Sequence, residues 1–473
     1  MKILYVTSEA NPYLASGGLG DVMGALPKAI AENPDVSCEV IMPLYNTIKP
    51  IYREQMQWVI DISFDLSWRH TGATVYKIQN GKVTYYFIEN HSYFDRGRLY
   101  GEYDDAERFA FFSRAVVEYM LQSGNIPDIL HANDWQCAPA VIYLKTEYAH
   151  IDAFKRVKTV YTIHNIEYQG KFNPYILGDV FGIDTRFKGI VEFDGCINLM
   201  KGAIVASDYV TTVSPNYAFE LEHDFFAFGL SPIIKAARYK MRGVINGIDY
   251  TYFSPETGGD IYESFNLRNY KSKKKINKTE FQREVGLEVN PDVPLLVMIT
   301  RLASQKGIDL VLHIVEELLH ENVQLAILGT GEPEYEAAFS ALDAKYPNFR
   351  ALMMFDRVLS KKMYAAADLF LMPSKSEPCG LSQMIACSYA TVPVVRSVGG
   401  LYDSIRTYGE EGANGFRFDN YNAHDLLFTV KSALEVYKDK KAWGALTASA
   451  KKSNFTWENS AKEYIAIYNN LLI

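Results

Sequence analysis

The first half of the chain alternates short apolar runs with segments long enough to form helices. The runs lie at residues 2–6, 38–43, 129–131, 159–163 and 209–213, and polar residues follow them. Runs of this length predict buried strands, and residues 22–31 predict a helix after the first of them. Strands separated by helix-length segments are typical of βαβ units and a parallel sheet, whose ligands bind beyond the carboxyl ends of the strands.

A second series of the same kind begins after a break near residues 247–263. Pro255, Gly258 and Gly259 interrupt the periodicity there, and a basic, asparagine-rich stretch follows. Later strands are predicted at 294–300, 323–328, 368–372 and 392–395, with a helix at 308–319. The sequence therefore predicts an α/β protein made of two halves.

Charge and composition exclude several classes of protein. The 473 residues are 48% hydrophobic and carry 48 Lys and Arg against 56 Asp and Glu, a formal net charge of −8. That balance argues against general binding to nucleic acid or anionic lipid. No apolar run approaches the ~20 residues of a membrane span, and the first run is too short for a signal peptide. Five scattered cysteines without C-x-x-C spacing predict a cytoplasmic protein without a disulfide scaffold or a zinc knuckle.

A glycine-rich loop, GGLGD at residues 17–21, follows the first predicted strand. Its backbone N–H groups can approach an anion, and the start of the next helix adds positive potential. A tight βα turn without a ligand explains the loop equally well. The spacing of Gly18, Gly20 and Gly24 also loosely resembles a dinucleotide fingerprint, with Glu39 as a ribose ligand. A nicotinamide-dependent oxidoreductase is therefore one alternative.

Charged residues follow the predicted strands of the second half. Arg301 follows one strand, Lys306 lies five residues further on, and Glu377 follows a later strand. Two cations at the carboxyl end of a parallel strand suit a diphosphate, and a carboxylate in a neighbouring turn suits sugar or ribose hydroxyls. The glycine pair Gly399-Gly400 follows the last of these strands. Several such loops at one sheet edge indicate a binding site better than any one of them does.

Polar residues also end strands in the first half, in HANDW at 131–135 and TIHN at 162–165. A histidine in such a place is as often structural as catalytic. The sequence contains no H-E-x-x-H, D-x-D, G-x-x-x-x-G-K-[ST] or G-x-S-x-G motif. We therefore expect no catalytic metal, no P-loop and no serine-hydrolase nucleophile.

Taken together, these motifs resemble the bacterial glycogen synthase and plant starch synthase family. The motifs are GGLGDV at 17–22, DDAERF at 104–109, NDW at 133–135, TIHN at 162–165 running through YQG at 168–170, VSP at 213–215, NGID at 246–249, SQKG at 304–307, EPCGL at 377–381 and GGL at 399–401. They occur in order along nearly the whole chain. One such motif is weak evidence, whereas nine in register are specific.

The resemblance implies the GT-B architecture, in which two Rossmann-like domains face each other across a cleft. It implies an acceptor-side domain at residues 1–250, a nucleotide-sugar-binding domain at 251–455, and a C-terminal helix within 456–473 that returns to the first domain. The implied reaction transfers glucose from ADP-glucose to the non-reducing end of an α-1,4-glucan, such as glycogen or starch. Configuration is retained, and neither a metal nor another cofactor is needed.

The resemblance also implies roles for individual residues. Arg301 and Lys306 would bind the diphosphate and Glu377 the sugar, while Asp134 and His164 would line the wall beside the transferred glucose. Further substrate-binding and nucleotide-binding residues are implied at Gly17, Gly18, Asp21, Asn246, Lys278, Cys379, Gly380, Leu381, Gly399 and Gly400. A protein nucleophile is not implied, because the leaving phosphate can take the proton of the acceptor hydroxyl.

Four positions depart from the family pattern. Ala15 replaces a lysine near the donor phosphates, Val398 replaces a threonine, and Asn133 and Gln136 replace histidines on either side of Asp-Trp. The lost lysine leaves the identity of the donor, ADP-glucose or UDP-glucose, open. A second alternative is therefore a catalytically weakened paralogue that binds glucan and regulates or scaffolds another synthase.

Overall fold

The structure, a computed structural model, describes residues 1–257 and 259–473 and divides into two compact units. Unit 1 comprises Met1–Val244 and Trp457–Ile473, and unit 2 comprises Ile245–Thr456. The sequence placed these boundaries after residues 250 and 455. Gly258, which belongs to the predicted break, lies outside the described residues.

Unit 1 is built on a large sheet with helices between its strands. Its strands are β1 (Lys2–Val6), β2 (Ser37–Pro43), β3 (Gln57–Leu66), β4 (Arg69–Asn80), β5 (Val83–Glu89), β6 (Ile129–Asn133), β7 (Lys158–Ile163), β8 (Lys171–Phe172), β9 (Glu192–Phe193), β10 (Cys196–Asn198), β11 (Tyr209–Thr212) and β12 (Met241–Gly243). Its helices before residue 244 are α1 (Gly18–Ile30), α2 (Pro50–Arg53), α3 (His91–Phe94), α4 (Asp105–Ser123), α5 (Asp134–Lys145), α6 (Ile176–Asp179), α7 (Lys188–Val191), α8 (Leu199–Ala206), α9 (Pro215–Glu220), α10 (Asp224–Ala227) and α11 (Ser231–Ala237).

The large sheet has the strand order β12-β11-β7-β6-β1-β2-β5-β4-β3. From β12 to β5 the strands are parallel, whereas β4 and β3 add to the edge in antiparallel fashion. All strands predicted for the first half are present. The antiparallel pair was not predicted. It carries one buried face, with Ile62, Phe64 and Leu66 alternating with exposed residues along β3, which is typical of a sheet edge that is solvated on one side.

Unit 2 is a second α/β unit with a six-stranded sheet. Its elements in chain order are α12 (Tyr270–Val285), β13 (Leu295–Ile299), α13 (Ile308–Leu319), β14 (Gln324–Leu328), α14 (Pro333–Lys345), β15 (Phe349–Leu352), α15 (Arg357–Ala366), β16 (Leu369–Met372), α16 (Ser382–Ser388), β17 (Val392–Arg396), α17 (Gly399–Ser404), β18 (Phe416–Phe418), α18 (Ala423–Lys438) and α19 (Lys440–Lys452). All strand pairs of this sheet are parallel, in the order β15-β14-β13-β16-β17-β18. The α/β fold class with parallel sheets in two units is confirmed.

The last helix, α20 (Trp457–Leu472), belongs to unit 1 and packs against α1. Its buried Tyr468 hydroxyl lies 2.7 Å from His131 Nδ1 on β6 and 3.0 Å from the Tyr5 hydroxyl on β1. Tyr464 and Ile467 are buried beside it. The end of the chain is therefore fixed to the middle of the unit 1 sheet by polar as well as apolar contacts.

Two further observations concern membrane helices and cysteines. Among residues 1–257 and 259–473, no helix combines the length and the apolar character needed to cross a membrane. All five cysteines are free thiols.

Candidate functional site

In unit 1 the predicted residues lie at the carboxyl ends of three neighbouring strands. The glycine loop follows β1, Asp134 follows β6, and His164 follows β7. Strands β6 and β7 pair so that Asn133 lies beside Thr162. Parallel strands with polar carboxyl ends create a binding edge, and this edge is the candidate site of unit 1.

The glycine loop leaves its backbone accessible. Helix α1 begins at Gly18, and a Cβ atom added at Gly17 or Gly18 would meet no described atom within 4 Å. In contrast, a Cβ atom at Gly20 would lie 2.3 Å from the Ala15 Cβ atom, and one at Gly24 would lie 2.8 Å from the Asn11 carbonyl oxygen. The later glycines are therefore needed for packing, whereas the first two leave room for a ligand at the start of the helix.

Two acidic residues lie beside this loop. Asp21, in the first turn of α1, accepts a hydrogen bond from Asn11 Nδ2. Glu9, which the sequence analysis missed, is buried, and its Oε2 accepts hydrogen bonds from the Ser16 amide at 2.5 Å and from the Ser16 hydroxyl at 2.8 Å. Burial raises the pKa of Glu9. Its position three residues after the end of β1 is the signal by which the sequence could have revealed it.

Asp134 holds the loop that follows β7. It is the first residue of α5, with φ of 55°, and its Oδ1 accepts a hydrogen bond from the His164 backbone amide at 2.8 Å. The backbone amide of Asn165 also donates to the Asp134 carboxylate. Burial raises the pKa of Asp134 to about 7, although these two hydrogen bonds oppose the rise. The structure thus brings Asp134 and His164 together through a side chain-to-backbone contact.

The two histidines near this edge have different surroundings. His164 Nε2 lies 2.9 Å from Asn133 Oδ1, and burial lowers the pKa of His164 to about 3. His131 is fully buried between α20 and Thr162, and its pKa is also lowered to about 3 by burial. Its ring nitrogens contact Tyr468 and Thr162. His131 is therefore structural, and His164 stays the predicted histidine of the site.

The dinucleotide alternative does not fit this unit. Glu39, its expected ribose ligand, pairs in register with Leu4 near the amino end of β2. The Glu39 carboxylate lies 3.5 Å from Lys2 Nζ and accepts a hydrogen bond from Asn125 Nδ2 at 2.9 Å. The ribose-ligand hypothesis for Glu39 is wrong, because this carboxylate is engaged at the edge opposite the glycine loop.

In unit 2 the predicted residues again follow neighbouring strands. Arg301 follows β13, and Lys306 ends a short helical turn after it. Glu377 follows β16 and is buried. Lys306 Nζ lies 2.6 Å from Glu377 Oε2, which also accepts a hydrogen bond from the Ser374 hydroxyl at 3.0 Å. Since Glu377 balances the charge of Lys306, the exposed Arg301 supplies the net positive charge of the trio.

The glycine pair after β17 allows two loops to touch. A Cβ atom at Gly399 would lie 2.0 Å from the Glu377 carbonyl oxygen, and one at Gly400 would lie 2.1 Å from the Cys379 carbonyl oxygen. The Gly400 amide donates to the Glu377 carbonyl at 3.1 Å. Any side chain here would push the Glu377 loop away, so both glycines fix the position of that loop.

The segment between Glu377 and α16 is supported from both sides. Gln383, which the sequence analysis missed, donates from Nε2 to the carbonyl oxygens of Cys379 at 3.1 Å and Gly380 at 3.0 Å. Gly380 has φ of 72°, in the left-handed region that favours glycine. The buried Asn246 hydrogen-bonds the Cys379 thiol, whose pKa is raised to about 12 by burial. Leu381 directly precedes α16. The structure therefore groups Asn246 with the predicted loop residues.

Lys278 lies apart from the other predicted residues of unit 2. Its ammonium group is buried, donates to Asp368 Oδ2 at 2.6 Å and to the Pro291 carbonyl at 3.0 Å, and lies 3.4 Å from the Tyr437 hydroxyl. Asp368 directly precedes β16, so these contacts lie at the amino end of the strands. Lys278 therefore neutralises a buried carboxylate at the amino edge of the sheet, away from Arg301 and Glu377, and its implied nucleotide-binding role stays a prediction.

An exposed aromatic ring completes the carboxyl edge of this sheet. Phe355 follows β15 and is 81% exposed. An exposed ring at the edge where ligands of such sheets bind suits stacking against a flat nucleobase. The sequence analysis missed this residue because it did not predict β15, whose apolar run at residues 349–352 is too short to be noticed.

The described residues include no group of three or more His, Cys, Asp and Glu side chains placed to hold a metal ion.

Family models of glycosyltransferases match both units of the chain. The family model for the starch synthase catalytic domain matches residues 2–236, and the model for group 1 glycosyl transferases matches residues 279–448. A glycogen synthase of Clostridium beijerinckii is 45% identical over 479 aligned positions, which cover 100% of this chain and 99% of the relative. A glycogen synthase of Geobacillus stearothermophilus is 40% identical and covers 100% of this chain and 98% of its own.

Solved structures agree with these matches. The catalytic domain of starch synthase IV from Arabidopsis thaliana, bound to ADP and acarbose, superimposes with a TM-score of 0.89 at 30% identity, covering 99% of both chains. The sucrose-phosphate synthase of Thermosynechococcus elongatus has a TM-score of 0.62 at 16% identity, which shows the shared fold alone. From the full-length matches, the chain belongs to the glycogen synthase and starch synthase family of glycosyltransferases.

Proposed function

We propose that this chain transfers glucose from ADP-glucose to the non-reducing end of an α-1,4-glucan, with retention of configuration and without a metal. The observation that carries the proposal is the Lys306–Glu377 ion pair, at the same carboxyl edge of the unit 2 sheet that Arg301 follows. Such a group of charges suits a sugar joined to a diphosphate. The starch synthase IV catalytic domain, solved with ADP and acarbose, supports a nucleotide donor and a saccharide acceptor.

In the proposed reaction the glycosidic oxygen of the donor leaves with ADP. Negative charge develops on the diphosphate as this bond breaks, and Arg301 and Lys306 stabilise it. The Lys306–Glu377 contact at 2.6 Å fixes the lysine before the donor arrives, so the charge needs no rearrangement during the reaction. The Glu377 side chain, held by Lys306 and Ser374, is oriented to accept hydrogen bonds from sugar hydroxyls.

Retention follows from attack on the face that the leaving group departs from. The acceptor hydroxyl attacks the anomeric carbon, and its proton passes to the departing phosphate oxygen, so one C–O bond forms as another breaks. This route needs no protein nucleophile. It requires instead that side chains orient the sugar and exclude water, which is the role we assign to Asp134 and His164.

Incorporation of labelled glucose into glycogen tests this proposal directly. We expect incorporation with ADP-glucose at a kcat/KM well above that with UDP-glucose, and a product whose new linkages are cleaved by an α-1,4-specific hydrolase. Excess EDTA should leave the rate unchanged, because side-chain cations take the place of a metal. Loss of activity that Mg²⁺ or Mn²⁺ restores would overturn the metal-free mechanism, and glucan binding without incorporation would favour the regulatory paralogue.

A further inference from the structure

Asn133 is buried at the end of β6 and contacts the ring of His164. Its Nδ2 donates to the Val6 carbonyl oxygen at the end of β1, 3.1 Å away, and lies 3.4 Å from the His131 carbonyl oxygen. Its Oδ1 lies 2.9 Å from His164 Nε2. A flipped amide would set Oδ1 against a carbonyl oxygen, so the two carbonyl groups fix which end of the amide faces His164.

This orientation decides the protonation of the imidazole. An amide oxygen can only accept a hydrogen bond, so the nitrogen facing it, His164 Nε2, must carry a hydrogen atom. In a neutral ring the other nitrogen, Nδ1, is then unprotonated and can only accept. Since burial lowers the pKa of His164 to about 3, the ring is neutral under ordinary conditions.

We propose that Asn133 is a positioning residue that fixes His164 as the neutral Nε2–H tautomer and leaves Nδ1 as a hydrogen-bond acceptor. The proposal deepens the proposed function and rests on it for the kinetic effects. A nitrogen acceptor suits a hydroxyl group of the transferred glucose. The uncharged amide also keeps the imidazole from gaining a proton, which a carboxylate in the same place would promote.

Other ionisable groups face this part of the site and must be considered with it. The Asp134 carboxylate accepts from the His164 backbone amide rather than from its ring. Glu9 and Tyr217 interact electrostatically with Asp134, and His131 interacts with His164. Because the Asn133 amide makes the direct contact with the ring, changing it should alter the imidazole more than changes in these neighbours do.

The first test is spectroscopic and needs no donor. In the full chain labelled with ¹⁵N in its nine histidines, the His164 signals are identified by their loss in His164→Gln. We expect one unprotonated nitrogen at Nδ1 and one protonated nitrogen at Nε2, unchanged from about pH 8 to about pH 5.5. A ring protonated at Nδ1, or a ring that is an imidazolium at neutral pH, would overturn the proposal.

Two substitutions of Asn133 distinguish an effect on the His164 ring from an effect on the stability of the fold. Asn133→Leu removes the acceptor, and we expect kcat to fall about tenfold with a smaller change in the KM for ADP-glucose. Asn133→Asp keeps an oxygen acceptor toward the ring but sets its other oxygen against the Val6 carbonyl oxygen. Its charge should raise the pKa of His164 above the wild-type value. The pH profile of kcat in that variant should gain an inflection at the raised pKa of His164.

The matched control is Asn198→Leu. Asn198 is another buried asparagine of unit 1, and its Oδ1 caps helix α8 by accepting a hydrogen bond from the Lys201 amide. This substitution should lower the melting temperature yet leave the His164 spectrum and the pH profile unchanged. Wild-type kinetics and spectra in both Asn133 variants would contradict the proposal. An enzyme inactive with ADP-glucose that still shows the Nε2–H tautomer would contradict the proposed function alone.

Discussion

Arg301→Ala and Lys306→Ala are each expected to lower the rate of glucose incorporation about 10²- to 10³-fold at saturating ADP-glucose. Both cations follow β13, and Lys306 is held 2.6 Å from Glu377 Oε2. A preorganised charge acts most strongly where charge develops, which in the proposed reaction is the departing diphosphate. Initial rates of incorporation into glycogen measure the effect, and near-normal turnover in either variant would contradict the assignment.

The two variants should differ in stability. Arg301 is exposed, so its removal should leave the free energy of unfolding nearly unchanged. Removing Lys306 leaves the buried Glu377 carboxylate with Ser374 as its remaining hydrogen-bond donor among the contacts described, and an uncompensated buried charge destabilises a fold. Thermal unfolding should therefore report a lower melting temperature for Lys306→Ala than for Arg301→Ala.

A double-mutant cycle adds a sharper criterion. Because Lys306 and Glu377 form a direct ion pair, the variant with both replaced by alanine should lose less activity than the product of the two single losses. Lys345→Ala is the matched control, since this exposed lysine of α14 pairs with Glu316 at 3.0 Å on the surface of the same unit. It should retain wild-type kinetics.

The predicted parallel strands were recognisable because each is a continuous, largely buried apolar run, whereas the parallel strands β5, β12, β15 and β18 were not predicted. The five runs of the first half became β1, β2, β6, β7 and β11 with ends shifted by a residue or two, and the helix predicted at 308–319 has those bounds. The antiparallel strands β3 and β4 were missed because β3 alternates buried with exposed residues and β4 interrupts its buried residues with partly buried ones. Alternation of this kind is a signal of period two rather than a run, and a search for runs overlooks it.

The sequence predicted which residues of the site share a sheet edge, because the order of parallel strands determines that, but it did not predict their side-chain contacts. Arg301, Glu377 and Gly399 had to share a sheet edge because each follows a parallel strand. Lys278 lies on a helix rich in lysines, and nothing in the local pattern says which of them turns inward to pair with Asp368. The Asn133–His164 contact joins side chains at the ends of two different strands. It depends on the distance between these side chains in the fold, which the local sequence pattern does not predict.

Asp134 is expected to make turnover depend on pH near neutrality. Burial raises the pKa of Asp134 to about 7, and its ionised form is the better acceptor for the backbone amides of His164 and Asn165. We therefore expect kcat to rise with pH through about pH 7. Stability should change in the opposite direction. With its folded pKa raised above the unfolded value, Asp134 contributes stability at low pH that is lost as the pH rises through about 7.

Asp208→Asn serves as the matched control for this prediction. Asp208 accepts hydrogen bonds from the Thr159 amide at 2.7 Å and from Lys145 Nζ at 2.9 Å. The Asp208 pKa is lowered, since these hydrogen bonds, with that from Lys145 the largest, outweigh the effect of burial. Its substitution should lower the melting temperature, but the inflection in kcat near pH 7 should remain, because this carboxylate is already ionised there.

Asp134→Asn should remove that inflection and lower kcat about 10²-fold. Asparagine tolerates the left-handed backbone at this position, where φ is 55°, so the start of α5 should be preserved. The neutral amide, however, accepts the backbone hydrogen bonds of residues 164 and 165 less strongly than a carboxylate does, and one of its ends is a donor. The His164 backbone then loses part of the support that Asp134 gives it. Measuring kcat from about pH 5.5 to about pH 8.5 in the wild type and in Asp134→Asn tests whether Asp134 is the titrating group. A flat wild-type profile, or an Asn variant that keeps the wild-type inflection, would show that the titrating group is not Asp134.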